Sequence, residues 1–349
     1  MRLEPVSDPS PARLIGLPVA ALALTLAVGM ALAALAGADP LAVFGLIVKG
    51  AAGSRLAILE TLNRATPLIF TGLAVTVAFR AKLWNIGAEA QLYAGALAAT
   101  LLGTGALGWP AVALLPAMAL AAALAGALTL LGPAVLKVRF GVDEVVTTLL
   151  LNFIMLLFVS MLLEGAMKDP LSLGWPQSAP LVPDARLPRM ATGLRLYWGF
   201  GLGLIAAGAV WLVTTRTTLG FEMRAVGENR TVAAFAGIPV HRVLLWTAML
   251  SGGLAALAGF AEVAGPKGNL TLDLSPGFGY TGIIVAMLAL LNPLAVAPSA
   301  IFVAGVFVGA DSMSRAAGVP SYLADILLAT ALLTMVAAVM LTRFRLARG

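Results

Sequence analysis

Two groups of polar side chains recur at a spacing of four residues, within stretches that are otherwise apolar. Residues four apart lie on one face of an α-helix, so each group is expected to form a polar stripe. The two stripes consist of Asn85, Glu89 and Tyr93, and of Glu144, Thr148 and Asn152. Their amide, hydroxyl and carboxylate groups can exchange hydrogen bonds with a polar molecule that passes along the face. The stripes, without Glu144, are therefore the candidate lining of a translocation path or gate.

Each stripe also has a purely structural interpretation. Gly87 and its small neighbours would let the first helix pack closely on another helix, with the polar groups as its cap. Asp143 and Glu144 stand where the second helix should begin, and the helix dipole favours acids there. A charged Glu89 must face protein or water, because a charge at mid-membrane costs about 2.5–3.5 kcal/mol. The sequence leaves path lining and helix packing open for both stripes.

A polar segment at residues 219–242 separates two long apolar runs. It carries the charged residues Glu222, Arg224, Glu228 and Arg230 together with a small apolar run at 232–236. This composition is typical of a short helix at the membrane surface that offers one face to a soluble partner. A membrane protein that presents such a helix to the cytosol is expected to be driven by something outside itself.

Several kinds of chemistry are excluded or disfavoured by residues that the chain lacks. No lysine is followed by Ser or Thr, so the Lys-Ser/Thr pair that ends a Walker A phosphate loop is absent. The patterns Gly-x-Ser-x-Gly and His-Glu-x-x-His of hydrolases are also absent. With no cysteine and a single histidine, His241, a zinc, haem or iron–sulfur site is not expected. We predict that this chain binds no metal or cofactor and does not hydrolyse ATP.

The composition is that of a membrane protein. Of 349 residues, 60% are hydrophobic and 11% are charged, with a mean hydropathy of +0.99, whereas soluble domains carry about 25% charged residues. A spanning helix needs roughly 20 apolar residues. Apolar runs fall at residues 14–37, 65–79, 86–103, 109–136, 145–163, 196–213, 243–263, 279–291, 294–310 and 323–341. We predict an all-α, polytopic transmembrane helical bundle with ten spans, and the weak boundaries at 103–109 and 291–294 also admit eight or nine.

The basic residues indicate the orientation of these spans. The net charge of +6 does not point to a nucleic-acid partner, because the arginines are scattered singly between apolar runs. Basic residues in short loops mark the cytoplasmic side, which places Arg80, Lys82, Lys137 and Arg139 inside. Both termini and residues 214–242 are then cytoplasmic, and residues 164–195 form an extracytoplasmic loop.

Three blocks of the sequence resemble the permease subunits of bacterial ATP-binding cassette (ABC) importers. They are Trp-Asn-Ile-Gly-Ala-Glu-Ala-Gln-Leu-Tyr at 84–93, Asp-Glu-Val-Val-Thr-Thr-Leu-Leu-Leu-Asn at 143–152, and Arg-Ala-Val-Gly-Glu-Asn at 224–229 with Ala-Ala-Phe-Ala-Gly-Ile at 233–238. They are similar to the branch that groups ribose, branched-chain amino acid and nucleoside permeases. The form Asn-Ile-Gly-x-Glu-x-Gln particularly resembles the nucleoside (simple sugar) subgroup. The resemblance runs from about residue 60 to residue 340, within a single permease domain that occupies residues 1–349.

The resemblance implies a transport subunit, not an enzyme, in the inner membrane of a bacterial cell. Its expected solute is a nucleoside or a related sugar-containing molecule, with branched-chain amino acids and simple sugars as alternatives. The implied partners are a second permease in a homo- or heterodimer, ATPase subunits that use ATP and Mg, an extracytoplasmic substrate-binding protein and the surrounding lipid. From a different class, a self-sufficient secondary carrier or facilitator remains the rival hypothesis, and a membrane enzyme is a more distant one.

Residues 214–242 are, by the same resemblance, the coupling segment that inserts into a cleft on the ATPase. Ala233-Ala234-x-x-Gly237 resembles the Glu-Ala-Ala-x-x-x-Gly coupling motif of other importers, but the Glu and one spacer residue are missing. That departure leaves the individual contacts open. The residues implied in coupling are Gly220, Arg224, Gly227, Glu228, Asn229, Arg230, Ala233, Ala234 and Gly237.

Overall fold

The computed structural model describes residues 2–5, 11–35, 39–105, 108–191, 193–317 and 344–347, together with 322, 326, 329–330, 333–334 and 337–338. Helices dominate the described chain. They are α1 (Pro11–Leu35), α2 (Pro40–Ala52), α3 (Arg55–Arg80), α4 (Ala88–Gly103), α5 (Ala111–Phe140), α6 (Glu144–Glu164), α7 (Trp198–Arg216), α8 (Thr218–Glu228), α9 (Arg230–Phe235), α10 (Val240–Glu262), α11 (Phe278–Leu288) and α12 (Pro293–Ala317). The predicted span at 323–341 lies largely outside the described residues.

The chain ends form one element that the all-helical prediction lacks. Strand β1 (Arg2–Pro5) pairs antiparallel with β2 (Phe344–Ala347), with Glu4 opposite Arg345 in the register. Polar and apolar residues alternate through β1, and in β2 through Phe344, Arg345 and Leu346, which is the period of a strand. A search for apolar runs passes over such short stretches, and the rest of the described secondary structure is helical, as predicted.

Six helices are long and apolar enough to cross a membrane, counted over the described residues: α3, α5, α6, α7, α10 with the turn that follows it, and α12. The chain is therefore a multi-pass helical membrane protein. Helix α11 has 11 residues, about 16 Å at 1.5 Å per residue. That is close to half of a hydrocarbon core of about 30 Å.

The chain divides into two compact units, Leu62–Ile301 and the combination of Met1–Thr61 with Phe302–Gly349. The core of the first unit is built by α4, α5 and α10, which approach closely at glycines. A Cβ on Gly126 of α5 would meet the carbonyl oxygen of Gly252 of α10, and one on Gly259 would meet the carbonyl oxygen of Leu92. Such small residues let helix backbones come into van der Waals contact, which drives helix association in lipid.

In the other unit, a small buried cluster joins α2 and α12. Val43, Ile47 and Met313 form it, and Gly309 leaves room for it because a Cβ there would meet the side chain of Ile47. Neither polar stripe and no part of the coupling segment belongs to this unit. The site described below lies within Leu62–Ile301.

Two non-helical stretches interrupt the first unit at positions that matter for the site. Residues 81–87, which we call the elbow, join α3 to α4 without helical structure, and Lys82 within them has φ +51°. Residues 268–277, which we call the connection, join α10 to α11 and end at Gly277 with φ +89°. Left-handed backbone is easy for glycine and uncommon for lysine.

The predicted extracytoplasmic loop, residues 164–195, has local structure of its own. A 3-10 turn occupies Pro183–Ala185, and bridges link Lys168 to Ser178 and Gln177 to Thr271 of the connection. Leu173, at the tip, is fully exposed. The loop is therefore folded against the connection at its base.

Candidate functional site

The elbow is anchored by Asn85, whose side chain is fully buried. Its Nδ2 donates to Gln91 Oε1 at 2.9 Å and to Ser251 Oγ at 3.0 Å, while its Oδ1 accepts from Gln91 Nε2 and from the Gly87 backbone N–H. Ser251 Oγ in turn donates to the Ala74 carbonyl at 2.8 Å. One side chain thus ties the elbow to α4, to α10 and, through Ser251, to α3.

The stripe on α6 binds the other side of the elbow. Glu144 accepts from the Trp84 N–H at 3.1 Å and forms an ion pair with Lys137, and Thr148 Oγ1 accepts from the Ile86 N–H at 3.3 Å. Non-helical backbone inside a membrane domain needs partners for its polar groups, because no bulk water is present to supply them. The α6 stripe provides those partners.

Asn152 completes the same stripe at the first turn of α4. Its Oδ1 accepts from the Ala90 N–H at 2.9 Å, and its Nδ2 donates to the Ile86 carbonyl at 3.0 Å. The first N–H groups of a helix have no partner within the helix, so Asn152 caps α4 from a neighbouring helix. Asp143, predicted to sit at a helix start, is the N-cap of α6 and accepts from the Val145 N–H at 2.8 Å.

The stripe on α4 binds the connection and the start of α11. Glu89 Oε2 accepts from the Gly279 N–H at 2.6 Å, and Tyr93 Oη donates to the Leu272 carbonyl at 2.6 Å. A carboxylate is favoured at a helix N-terminus by the partial positive charge of the helix dipole. Asn152 Nδ2 also donates to Tyr280 Oη at 2.9 Å, so the two stripes meet at the first turn of α11.

The five candidate path residues therefore come together, but they face protein. Their exposed fractions run from 0% for Asn85 and Thr148, through 2% for Tyr93 and 5% for Asn152, to 9% for Glu89. In this conformation they hold the elbow, α4 and α11 together, which is the packing alternative. Whether they also meet a solute in another conformation stays a prediction.

Three further polar residues take part in this network and were not singled out by spacing. They are Gln91, Ser251 and Tyr280. Gln91 lies inside the block at 84–93 that carries the family resemblance, so a search for buried amides near Asn85 could have found it. Nothing in the sequence pattern distinguishes Tyr280, whose side chain is 39% exposed.

Within the described ranges, no three His, Asp or Glu side chains gather where they could hold a metal ion.

The coupling segment forms two helices instead of one. Thr217 caps α8 by accepting from the Gly220 N–H at 3.2 Å. Asn229 then stops α8 with an extended backbone, φ −154°, and caps α9 by accepting from Thr231 and Val232 at 3.0 and 3.1 Å. The segment was predicted to hold a short helix and contains two, because an Asn that can bond the next turn ends one helix and starts another.

The nine residues implied in coupling divide into an inner and an outer set. Gly220, Gly227 and Ala233 are buried, and both glycines pack directly on backbone carbonyls. The outer set, which is exposed, consists of Arg224, Glu228, Asn229, Arg230, Ala234 and Gly237. Gly237 has φ +82° and ends α9, a position that suits glycine.

The most exposed apolar side chains of the segment were not among the nine. Phe235 at the end of α9 is 94% exposed, Val232 is 62% exposed and Phe221 of α8 is 61% exposed. With Ala233 facing inwards, α9 presents Val232 and Phe235 outwards beside the charges of Glu228 and Arg230. Large aromatic side chains exposed in this way are typical anchors for a partner protein.

Comparison with known proteins gives a consistent result. A family model described as "Branched-chain amino acid transport system / permease component" matches residues 57–341. The chain is 39% identical to the glucose ABC transporter permease protein of Haloferax volcanii, over 95% of this chain and 89% of that protein. It is 33% identical to the guanosine ABC transporter permease protein of Bacillus subtilis, over 90% and 91% of the two chains. With the nucleoside ABC transporter permease protein of Lactococcus lactis it shares 28% identity, over 76% and 75%.

Proposed function

The chain belongs to the branched-chain amino acid transport system / permease component family, and from that premise we propose that it is the membrane-spanning subunit of an ATP-driven importer. The proposed cargo is a nucleoside or a related sugar-containing solute, carried into the cytoplasm. The structural observation that carries the proposal is α9, a capped helix outside the long spans whose end exposes Phe235. A soluble partner could bind a helix of this kind and displace it.

The proposed partner at α9 is an ATPase subunit, which would bind ATP and Mg itself. In the importer, Arg224, Glu228 and Ala234 face that subunit, and Gly220, Gly227 and Ala233 hold α8 and α9 against the membrane domain. A second permease subunit and an extracytoplasmic binding protein complete the proposed assembly. The absence of a Walker A lysine pair in the sequence supports the division of labour between this chain and the ATPase.

The proposed topology has ten spans, both termini in the cytoplasm and residues 164–195 outside, in the inner membrane. Six long apolar helices among the described residues support a multi-pass helical bundle. Helix α11 would cross together with the non-helical connection that precedes it. That arrangement is consistent with non-helical backbone at membrane depth being tolerated where protein surrounds it.

The names of the relatives support two cargo classes. Guanosine and nucleoside permeases at 33% and 28% identity favour nucleosides, and the glucose permease at 39% identity favours simple sugars as the second candidate. Nucleosides, through their pentose ring, and simple sugars both present hydroxyl groups on a sugar ring. A translocation path that forms hydrogen bonds mainly with hydroxyl groups would suit either class of solute.

We propose that the polar stripes serve this path by positioning the elbow and the start of α11. Asn85, Thr148 and Asn152 satisfy backbone groups of the elbow and α4, while Glu89 and Tyr93 satisfy those of the connection and α11. Their burial supports this positioning role over continuous contact with solute. High affinity would reside in the binding protein, since the permease must release its cargo.

Uptake into proteoliposomes tests the function. The complete complex, with its binding protein inside or outside as orientation requires, would be given radiolabelled guanosine, glucose or leucine. We expect ATP-dependent accumulation of guanosine or glucose and none of leucine. Leucine uptake alone would replace the proposed cargo with a branched-chain amino acid, and uptake without ATP or the ATPase would indicate a self-sufficient carrier.

A further inference from the structure

We propose that the elbow, residues 81–87, is the element that carries movement of the coupling segment into the membrane domain. Arg230 would be the positioning residue that joins the two. The inference rests on the proposed function, because it needs an ATPase to move α8 and α9. Beyond that function, the inference names the route of the movement through the membrane domain and the residue on which this route depends.

Three contacts fasten the coupling segment to the outer end of the elbow. Arg230 Nη2 donates to the Lys82 carbonyl at 3.0 Å, and Lys82 Nζ donates back to the Glu228 carbonyl at 3.4 Å. Gly227 lies directly on the end of α3, where a Cβ would meet the carbonyl oxygen of Arg80. A displacement of α8 and α9 must therefore either carry residues 80–82 along or break these contacts.

The inner end of the elbow, residues 84–86, is also held by hydrogen bonds. Asn85 bonds α4 and α10, and the Trp84 and Ile86 N–H groups bond Glu144 and Thr148 of α6. These side chains are at most 5% exposed. A buried polar group that loses its hydrogen-bond partner destabilises the protein. Movement of the elbow together with its partners is therefore easier than movement that breaks these hydrogen bonds.

We assign the hinge of this route to Lys82, at the outer end of the elbow. Lys82 has φ +51°, a left-handed conformation that a residue with a long side chain seldom adopts without support. Lys82 is also the residue whose carbonyl accepts the hydrogen bond from Arg230. Residues that absorb dihedral changes at element ends are the usual hinges of domain motion.

The proposed route ends at α11, and hydrogen bonds from other elements reach this helix at or near both of its ends. Glu89, one residue into α4, bonds the Gly279 N–H at its start. Arg80 Nε donates to the Leu291 carbonyl just beyond its end, at 2.9 Å. A shift of the elbow would thus act on a short helix through two contacts, in line with coupling through contiguous packed elements.

The test uses the complete complex in liposomes and measures solute taken up per ATP hydrolysed, with radiolabelled guanosine and glucose as probes. Arg230→Ala should keep at least half of the ATPase activity that the liganded binding protein stimulates, while the uptake-to-ATP ratio falls at least fivefold. Arg230→Lys keeps one donor for the Lys82 carbonyl and should restore at least half of the ratio. Arg139→Ala, which removes an exposed arginine at the end of α5, is the matched control and should leave the ratio unchanged.

A labelling experiment follows the elbow itself. The chain has no native cysteine, so Trp84→Cys, on a side chain that is 44% exposed, reports on the elbow alone. Its reaction rate with a small thiol reagent should change at least threefold between the ATP-free and the vanadate-trapped complex. With Arg230→Ala added, that change should disappear.

Two outcomes would overturn the route. One is an unchanged uptake-to-ATP ratio in Arg230→Ala, including the case in which uptake and hydrolysis fall together because only docking is lost. The other is a labelling change at position 84 that persists without Arg230. A wild-type complex with no ATP-dependent uptake would instead contradict the proposed function, so the two failures are distinguishable.

Discussion

Glu89 accepts a hydrogen bond from the Gly279 backbone N–H over 2.6 Å, which joins the first turn of α4 to the first turn of α11. Both helices begin after non-helical stretches, the elbow and the connection. Each stretch leaves backbone groups without helical partners, and the two polar stripes provide those partners. The stripes are thus explained by interruptions of helices inside a membrane domain.

Asn152→Leu should destabilise the protein. The change is close to isosteric but leaves the Ala90 N–H and the Ile86 carbonyl without Asn152, at a cost of about 1–3 kcal/mol for each unpaired group. We expect a lower midpoint of thermal unfolding in detergent. Thr147→Val is the matched control on α6, since Thr147 bonds only carbonyls of its own helix turn. Equal midpoints for both variants would argue against the capping role.

Accessibility at the same position separates packing from path lining. Asn152→Cys should react with small polar thiol reagents far more slowly than a cysteine at Leu173, which is fully exposed in the loop outside the long spans. Protection in every transport state is the expected result of a packing role. Rapid reaction in any one state would show that Asn152 meets the aqueous path.

Gly227→Ala should impair both stability and transport. A Cβ at this position would collide with the Arg80 carbonyl, so α8 must move away from the end of α3. Gly132→Ala is the control, because nothing lies within 4 Å of a Cβ built on Gly132 in α5, and Ala is favoured over Gly by about 1 kcal/mol in a helix. Uptake assays on both variants check the difference, and wild-type uptake by Gly227→Ala would refute the close contact.

The exposed end of α9 should decide assembly with the ATPase. Phe235→Ala removes the most exposed aromatic of the coupling segment, and removal of an interface anchor costs about 2 kcal/mol or more. We expect at least a tenfold weaker association with the ATPase, measured by co-purification over a dilution series. Leu212→Ala, an exposed apolar residue of α7 outside the coupling segment, should bind the ATPase normally.

The side of the membrane on which each loop lies is directly testable. Single cysteines at Arg224 and at Leu173, both exposed, should react with an impermeant reagent from opposite faces of sealed vesicles. The cysteine-free wild type supplies the blank. Reaction of both positions from the same face would disprove the proposed span count between them.

The sequence predicted the polar stripes and the coupling segment because spacing and composition report which side chains share a face. It did not predict what the stripes touch, since their partners are backbone groups of the elbow and the connection, which carry no pattern. Residues 279–291 were predicted as a span from their hydrophobicity, yet helix α11 covers 11 residues. The apolar content of a segment indicates its preference for lipid, but it does not show where a helix begins or ends. The division of the coupling segment at Asn229 depends on one local hydrogen-bonding choice that composition does not resolve.

The most direct test of the account is ATP-dependent uptake by the complete complex, with and without an ATPase subunit that binds but cannot hydrolyse ATP. Proteoliposomes would contain this chain, its second permease and the ATPase, and would be supplied with the binding protein and radiolabelled guanosine or glucose. We expect accumulation with the active ATPase, and none with the inactive one or with this chain alone. Equal accumulation in all three preparations would contradict an ATP-driven importer and identify the chain as a self-sufficient carrier.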